Sequence, residues 1–282
     1  MADPLSTESR VRTSSTRLVQ ASFQQYKKKE RTFRFSVVLT QLIILVAFVS
    51  LWEIAGRLKW IDVLLFSYPS KVGYQIWKDM MDGSIWPHLL MTVGETIVGF
   101  LLGTILGTAI AVLIWWSKFL AKVLDPYMVV FNSMPKVALG PLFIVGFGPG
   151  FSAIVATTLS ITVIITTLVV YQAFREVDSN YIKVVQVFGG NRRTVFRKVV
   201  LPASIPAIIS TLKVNVGLAW VGVIVGEFLV AKIGLGYLII YGFQVFNFTL
   251  VMASIVLIAI MATLMYQGVS YLERFLTRRR IG

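Results

Sequence analysis

Long apolar runs alternate along this chain with short polar connections. Six of them approach the roughly 20 residues that an α-helix needs to cross a bilayer core. They cover residues 36–55, 89–116, 119–147, 152–174, 206–230 and 249–272. The third carries Pro135, Pro141 and Asn132, so it is expected to be bent or discontinuous. Before the second run, PSKVGYQIWKDMMDG places Val72, Ile76 and Met80 at i, i+4 and i+8, with Tyr74, Trp77 and Met81 beside them. That spacing predicts an amphipathic helix lying at a membrane interface. The expected class is therefore all-α and polytopic. Residues 1–35 are polar and basic and read as a tail, expected to be disordered, with an amphipathic surface helix as the other reading. The permease domain would then span 36–282.

Composition supports a membrane protein: of 282 residues, 56% are hydrophobic and 14% charged, well below the quarter usual in soluble domains. The formal charge of +14 is not spread like a nucleic-acid surface, because its cations cluster in the connections. Twenty lysines and arginines fall in the two termini and the connections after runs two and four, against five in the other connections. The positive-inside rule then predicts six spans with both termini cytoplasmic and a lipid bilayer as the chain's surroundings. No nucleic-acid partner is expected. The absence of cysteine excludes disulfides and thiolate metal sites, and the single histidine, His88, makes no metal site with scattered carboxylates. There is no G-x-x-x-x-G-K-[ST] phosphate loop and no triad or paired-carboxylate constellation, so neither a cofactor nor catalysis is expected of this chain.

Residues 183–208, KVVQVFGGNRRTVFRKVVLPASIPAI, interrupt the apolar pattern on the predicted cytoplasmic side. Val184, Val187 and Phe188 share one helical face, Gly189 and Gly190 permit a turn, and Asn191 suits a helix cap. A second short helix would put Val195, Val199, Phe196 and Val200 inward, with Arg192, Arg193, Arg197 and Lys198 largely opposite. Leu201-Pro202 should end it and Pro206 should begin the next span. Two readings stay open on physics alone: a rigid knob that docks in a groove of another protein, or an ordinary basic loop.

Further residues have a structural and a functional reading each. Gly99, Gly103 and Gly107 let helix backbones approach closely, within the chain or between subunits. Lys213, Asn132, Asn215 and Glu227 lie within predicted spans, where polar groups either pair with one another or line a path. Lys213 could attract an anion or sit in a packed ion pair.

Gly189, followed after eleven residues by Leu201-Pro202, resembles the EAA loop of the membrane subunits of bacterial ABC importers. The segments PSKV (69–72), TVGETIVGFLLGTILGTAIAV (92–112), PKVALGPLFIVGFGPG (135–150) and LAWVGVIVGEFLVAKIGLGYLI (218–239) are similar to the permeases of the nitrate, sulfonate and taurine group. The likeness covers residues 36–275, in order. It implies a permease subunit, in an assumed homodimer, working with cytoplasmic ATPase subunits and an extracytoplasmic substrate-binding protein. The loop, with Lys183, Val184, Val185, Gly189, Gly190, Arg192, Arg193, Phe196, Leu201 and Pro202, would be the coupling helix. The implied solutes are small oxyanions such as aliphatic sulfonates, taurine or nitrate, or alternatively vitamin precursors. The chain departs from the family at Lys183-Val184-Val185, which replaces Glu-Ala-Ala, and at Glu95, where arginine is frequent. An ion-driven secondary carrier is the rival reading. It predicts an internal repeat and intramembrane acid–base relays, and no repeat is visible. A membrane anchor or sensor that moves nothing is the third.

Overall fold

The computed structural model describes residues 4–278, with side chains described for Phe23 and for residues 26–275. Arg279 and Arg280, part of the basic C-terminal cluster, lie outside the described residues, as do the side chains of Arg10, Arg12, Arg17 and Arg278. The chain divides into two compact units, 1–63 and 64–282.

The first unit is one long helix, α1 (Pro4–Arg57). The expectation of a disordered tail is corrected here. Proline stands at its start and no glycine or further proline follows until Gly56, so nothing breaks the helix between the basic segment and the apolar one. Residues 26–57 are long and apolar enough to span a bilayer, and Leu42, Ile43, Ile44 and Leu45 are exposed, as lipid-facing side chains are.

The short helix α2 (Val63–Phe66) crosses the division. The second unit holds α3 (Pro69–Met81), α4 (Ile85–Trp116), α5 (Lys118–Ser133), α6 (Gly140–Phe147), α7 (Phe151–Arg175), α8 (Ser179–Val187), α9 (Arg192–Val195), α10 (Leu201–Val230), α11 (Leu235–Gln244) and α12 (Phe248–Arg278). No strand occurs among the described residues. The third predicted run is broken: α5, a 3-10 turn at Lys136–Leu139 and α6 meet at a bend of 93°. The bend falls where Pro135 cannot continue the helix.

Helix α3 forms where the apolar spacing predicts it, with Pro69 in its first turn. Its buried side differs from the expected one. Val72 and Asp79 are buried while Met80 turns outward, and Gln75 Nε2 donates to both Asp79 oxygens (2.8 and 3.0 Å), which gives the inward carboxyl hydrogen-bond partners. Outside the spans, the exposed Asp82 carboxylate accepts the Ser84 N–H (2.9 Å) and is held below the usual carboxylate range by that bond.

The core is the packing of α7 between α4 and α10. Gly99, Gly103 and Gly107 of α4 face Thr158, Thr162 and Thr166 of α7, turn for turn. A Cβ at Gly99 would fall 2.5 Å from Thr158 Cγ2, and one at Gly107 2.5 Å from Thr166 Cβ. On the other side of α7, a Cβ at Gly222 of α10 would fall 2.8 Å from Thr158 Cα. Each threonine returns its hydroxyl to its own helix: Thr158 to Ile154 O (3.0 Å), Thr162 to Thr158 O (2.9 Å) and Thr166 to Thr162 O (2.6 Å). The hydroxyls are thus satisfied where no water is at hand, while the small residues opposite allow close contact.

Candidate functional site

The hairpin between α7 and α10 is assembled from local signals. The Asp178 carboxylate caps α8 by accepting Asn180 N–H (2.8 Å), and Asn191 Oδ1 caps α9 by accepting Thr194 N–H (2.9 Å). Between them the chain turns at Gly189, whose φ of +79° is open to glycine at little cost. Gly190 serves otherwise. Its φ is not in the left-handed region, but a Cβ there would lie 2.5 Å from Val185 Cγ1 and 2.6 Å from Val185 O.

After α9 the chain does not stop at Leu201-Pro202, and Pro206 does not start a new helix. Both expectations are corrected. Residues Phe196–Val200 form one wide π turn, in which Leu201 N–H reaches back to Phe196 O, and α10 follows without a break. The wider turn absorbs a proline that has no N–H to give. Arg192–Val230 is consequently a single helical rod of 39 residues.

The base of the hairpin is locked by aromatic packing. Phe196 lies 4.9 Å from Trp115, 5.9 Å from Trp116 and 5.6 Å from Phe174, between ring centroids. Val195, Phe196 and Val200 are buried with Ala111, Val170 and Phe174. Arg192 donates to Trp115 O (2.8 Å) and stacks on the Trp115 ring. The tip is the reverse: Val187 is 84% and Phe188 86% exposed, Val184 is also exposed, and Val185 is half-buried. The face formed by Val184, Val187 and Phe188 therefore packs on nothing among the described residues. Lys183, Arg193, Arg197 and Lys198 are exposed around it.

The residues with both a structural and a solute-path reading are mostly engaged in contacts within the bundle, as the structural reading has it. Lys213 is ion-paired with Glu273 of α12. Asn215 is fully buried and donates to Thr104 Oγ1 (3.0 Å) and Thr166 Oγ1 (2.7 Å), tying α10 to α4 and α7. Glu227 is buried and accepts from Thr92 Oγ1 (2.6 Å) and Gly236 N–H (2.5 Å). Asn132 is exposed, and its carbonyl accepts from Lys136 Nζ (2.8 Å).

The Glu227 bonds reveal an element that the sequence reading missed. Helix α11 begins with Leu235 N–H on Thr92 Oγ1 (2.8 Å), Gly236 N–H on Glu227 and Gly234 N–H on His88 Nδ1 (3.0 Å). Its first donors are capped by side chains of α4 and α10 rather than by its own sequence. The spacing of Leu235, Leu238, Ile239 and Gly242, all buried, was the available signal. Glu95 lies beside Glu227 and is fully buried.

Among known proteins, relatives and folds agree. One relative is named as an aliphatic sulfonates transport permease, SsuC of Bacillus subtilis, 29% identical over 85% of this chain and 87% of its own. A formylaminopyrimidine transport permease, ThiX of Halalkalibacterium halodurans, is 27% identical over 80% and 90%. A riboflavin transport system permease, RibX of Chloroflexus aurantiacus, is 26% identical over 80% and 85%. In fold, a chain of a bacterial ABC transporter that imports alginate matches 90% of this chain and 99% of its own, with TM-score 0.63 at 14% identity. A chain of the inward-facing MetNI methionine ABC transporter matches 68% and 97%, with TM-score 0.58 at 20% identity. The model of the binding-protein-dependent transport system inner membrane component matches residues 99–281, and the chain belongs to that family, the permeases of ABC importers.

Proposed function

We propose that the hairpin at 179–200 is the coupling element of this permease: it docks on a cytoplasmic ATPase subunit and passes the motion of that subunit into the bundle. The observation that carries this reading is the bare apolar tip. Val187 and Phe188 sit almost fully exposed on a base held by Phe196, Trp115 and Phe174. An exposed apolar face on a rigid support, rimmed by Lys183, Arg193 and Arg197, suits insertion into a groove with an acidic rim. Its motion has a defined route, because Arg192–Val230 is one rod. The far end of that rod carries Glu227, bonded to α4 and α11. Displacing the tip would tilt the rod against its neighbours, and a rod shifted in this way would be the two-state element that a coupling mechanism requires.

The reading places the hairpin and both termini in the cytoplasm, on the positive-inside asymmetry. It pairs two copies of the permease around a path, with a substrate-binding protein outside. The solute class is a small organic oxyanion of the aliphatic sulfonate kind, supported by the SsuC relative. The ThiX and RibX relatives support vitamin precursors as a second reading. With Lys213 and Glu227 engaged inside the bundle, neither serves as a free charge for either solute.

The test is a cysteine at Phe188 in the assembled transporter. Crosslinking to the ATPase subunit that varies with bound nucleotide is the expected result. Phe188→Asp should leave the thermal stability of the isolated permease unchanged while abolishing ATP-driven uptake. Full uptake in that variant, with no crosslink from position 188, would remove the docking role.

A further inference from the structure

A cavity of about 470 Å³ lies between the hairpin and the ends of α4 and α7. Lys118 enters it from the start of α5, Arg175 from the last turn of α7, and Arg192 from α9, with Trp115, Tyr171 and Gln186 between them. Three cations thus line one cavity and, among the described residues, no carboxylate does. Carboxylates near in sequence are turned to other tasks. Glu176 accepts from Gln172 Nε2 (2.9 Å), and Asp178 caps α8. Asp125 and Glu176 line a neighbouring cavity that shares Tyr171 and Arg175. Among the described residues, none of the three cations has a carboxylate within ion-pair distance. Both guanidinium groups are held by rings, Arg192 at 5.2 Å from the Trp115 centroid and Arg175 at 5.8 Å from that of Tyr171.

Two features fix what such a cavity would hold. It stands where two membrane-crossing helices end, beside Trp115, Trp116 and Tyr171, the amphipathic rings that mark the headgroup level. A second cavity, of about 200 Å³, shares the lining residue Ile114 and lies between α4, α5 and α7. Its walls are almost wholly apolar, including Ile110, Leu124, Phe131, Ile164 and Leu168. A cationic chamber at headgroup depth, adjoined at Ile114 by an apolar groove along the spans, matches the two parts of one molecule. A free phosphate would use only the first.

We propose that these two cavities together form a binding site for an anionic phospholipid, whose phosphodiester headgroup is held by Lys118, Arg175 and Arg192 and whose acyl chain lies in the α4–α5–α7 groove. Guanidinium groups match phosphate oxygens geometrically, and basic chambers between spans are suited to such headgroups. The lipid would bridge the hairpin, through Arg192, to the ends of α4 and α7. The site depends on the membrane placement of the chain and not on the docking role of the tip.

Native mass spectrometry of the purified full-length chain in neutral detergent tests this, with phosphatidylglycerol, phosphatidylcholine and inorganic phosphate as probes. Wild type should retain phosphatidylglycerol in preference to phosphatidylcholine. K118Q/R175Q should weaken that retention by about tenfold or more. Ile110→Trp, which fills the groove, should weaken lipid retention while leaving any phosphate binding intact. A thermal scan identifies variants that fail to fold, and the single variants Lys118→Gln and Arg175→Gln then carry the comparison. Equal retention of the two lipids by wild type would overturn the proposal, as would unaltered retention in the folded cation variants. Stabilisation by inorganic phosphate alone, lost in K118Q/R175Q, would overturn the lipid assignment and leave a soluble phosphate as the ligand.

Discussion

Lys213 of α10 and Glu273 of α12 form an ion pair near the hairpin end of the bundle, each side chain about a quarter exposed. The pair joins the rod of α10 to the last long helix and accounts for a lysine inside a predicted span. Lys213→Ala should destabilise the purified permease by about 1–3 kcal/mol, between the values for exposed and buried pairs. The exchange K213E/E273K should restore much of the loss and should transport solute. A swapped variant that is stable but transports nothing would instead give Lys213 a role toward the solute.

Gly103 of α4 stands against Thr162 of α7 so closely that an added Cβ would overlap its hydroxyl. Gly103→Ala should lower stability by about 1–3 kcal/mol, the range for overpacked sites. Gly103→Val should do more, because its second methyl meets the same wall. Combining Gly103→Ala with Thr162→Ala should recover only part of the loss, since it removes the hydroxyl but leaves the Thr162 Cβ 2.7 Å from the added one. Thermal denaturation of wild type, these three variants and the single variant Thr162→Ala decides it. Additive losses in the double variant would show that the two positions do not share one contact.

The same stripe shows what the sequence made legible. Glycine every fourth residue announced a close helix approach, and the structure supplies its partner, the threonines of α7. Apolar run length located α4, α7 and α12 to within a few residues. Three things resisted. The basic tail looked disordered by composition, although no glycine or proline interrupts the helix between Pro4 and Gly56. Leu201-Pro202 looked like a stop, because the sequence does not advertise a π turn that spares the missing N–H. Helix α11 was overlooked because its cap lies on His88, Thr92 and Glu227, well over a hundred residues away for two of them. Of the candidate site, Asn191 and the exposed Val184, Val187 and Phe188 were readable from local pattern. The partners of Lys213, Asn215 and Glu227 are tertiary facts.

Glu227 offers a third structural test. Its carboxyl accepts from Thr92 and from Gly236, so Glu227→Ala leaves the Gly236 N–H buried without an acceptor. A cost of about 1–3 kcal/mol follows from an unsatisfied buried group. The loss should be local. Hydrogen exchange should quicken at Leu235 and Gly236, at the start of α11, and remain slow through α7. Glu227→Gln retains an acceptor oxygen and should protect α11 better than alanine does. Equal exchange in the three chains would mean that α11 is held by its apolar face alone, through Leu235, Leu238 and Ile239.

Gly189 and Gly190 are adjacent, yet they should fail for different reasons. Gly189 has φ +79° and open space around its missing Cβ, so only backbone preference limits substitution. Asparagine visits that region readily and a β-branched residue does not. Gly189→Asn should therefore keep the turn, and Gly189→Val should distort it. Gly190 has an ordinary φ but no room, with the Val185 carbonyl oxygen 2.6 Å from a Cβ. Even Gly190→Ala should open the turn, and Val185→Ala should not repair it, because the backbone oxygen remains. The measurement is uptake per ATP hydrolysed by the assembled transporter in proteoliposomes. The expected order is wild type and Gly189→Asn high, Gly189→Val and Gly190→Ala low. Tight coupling in Gly190→Ala would show that the shape of this turn is not what transmits the motion.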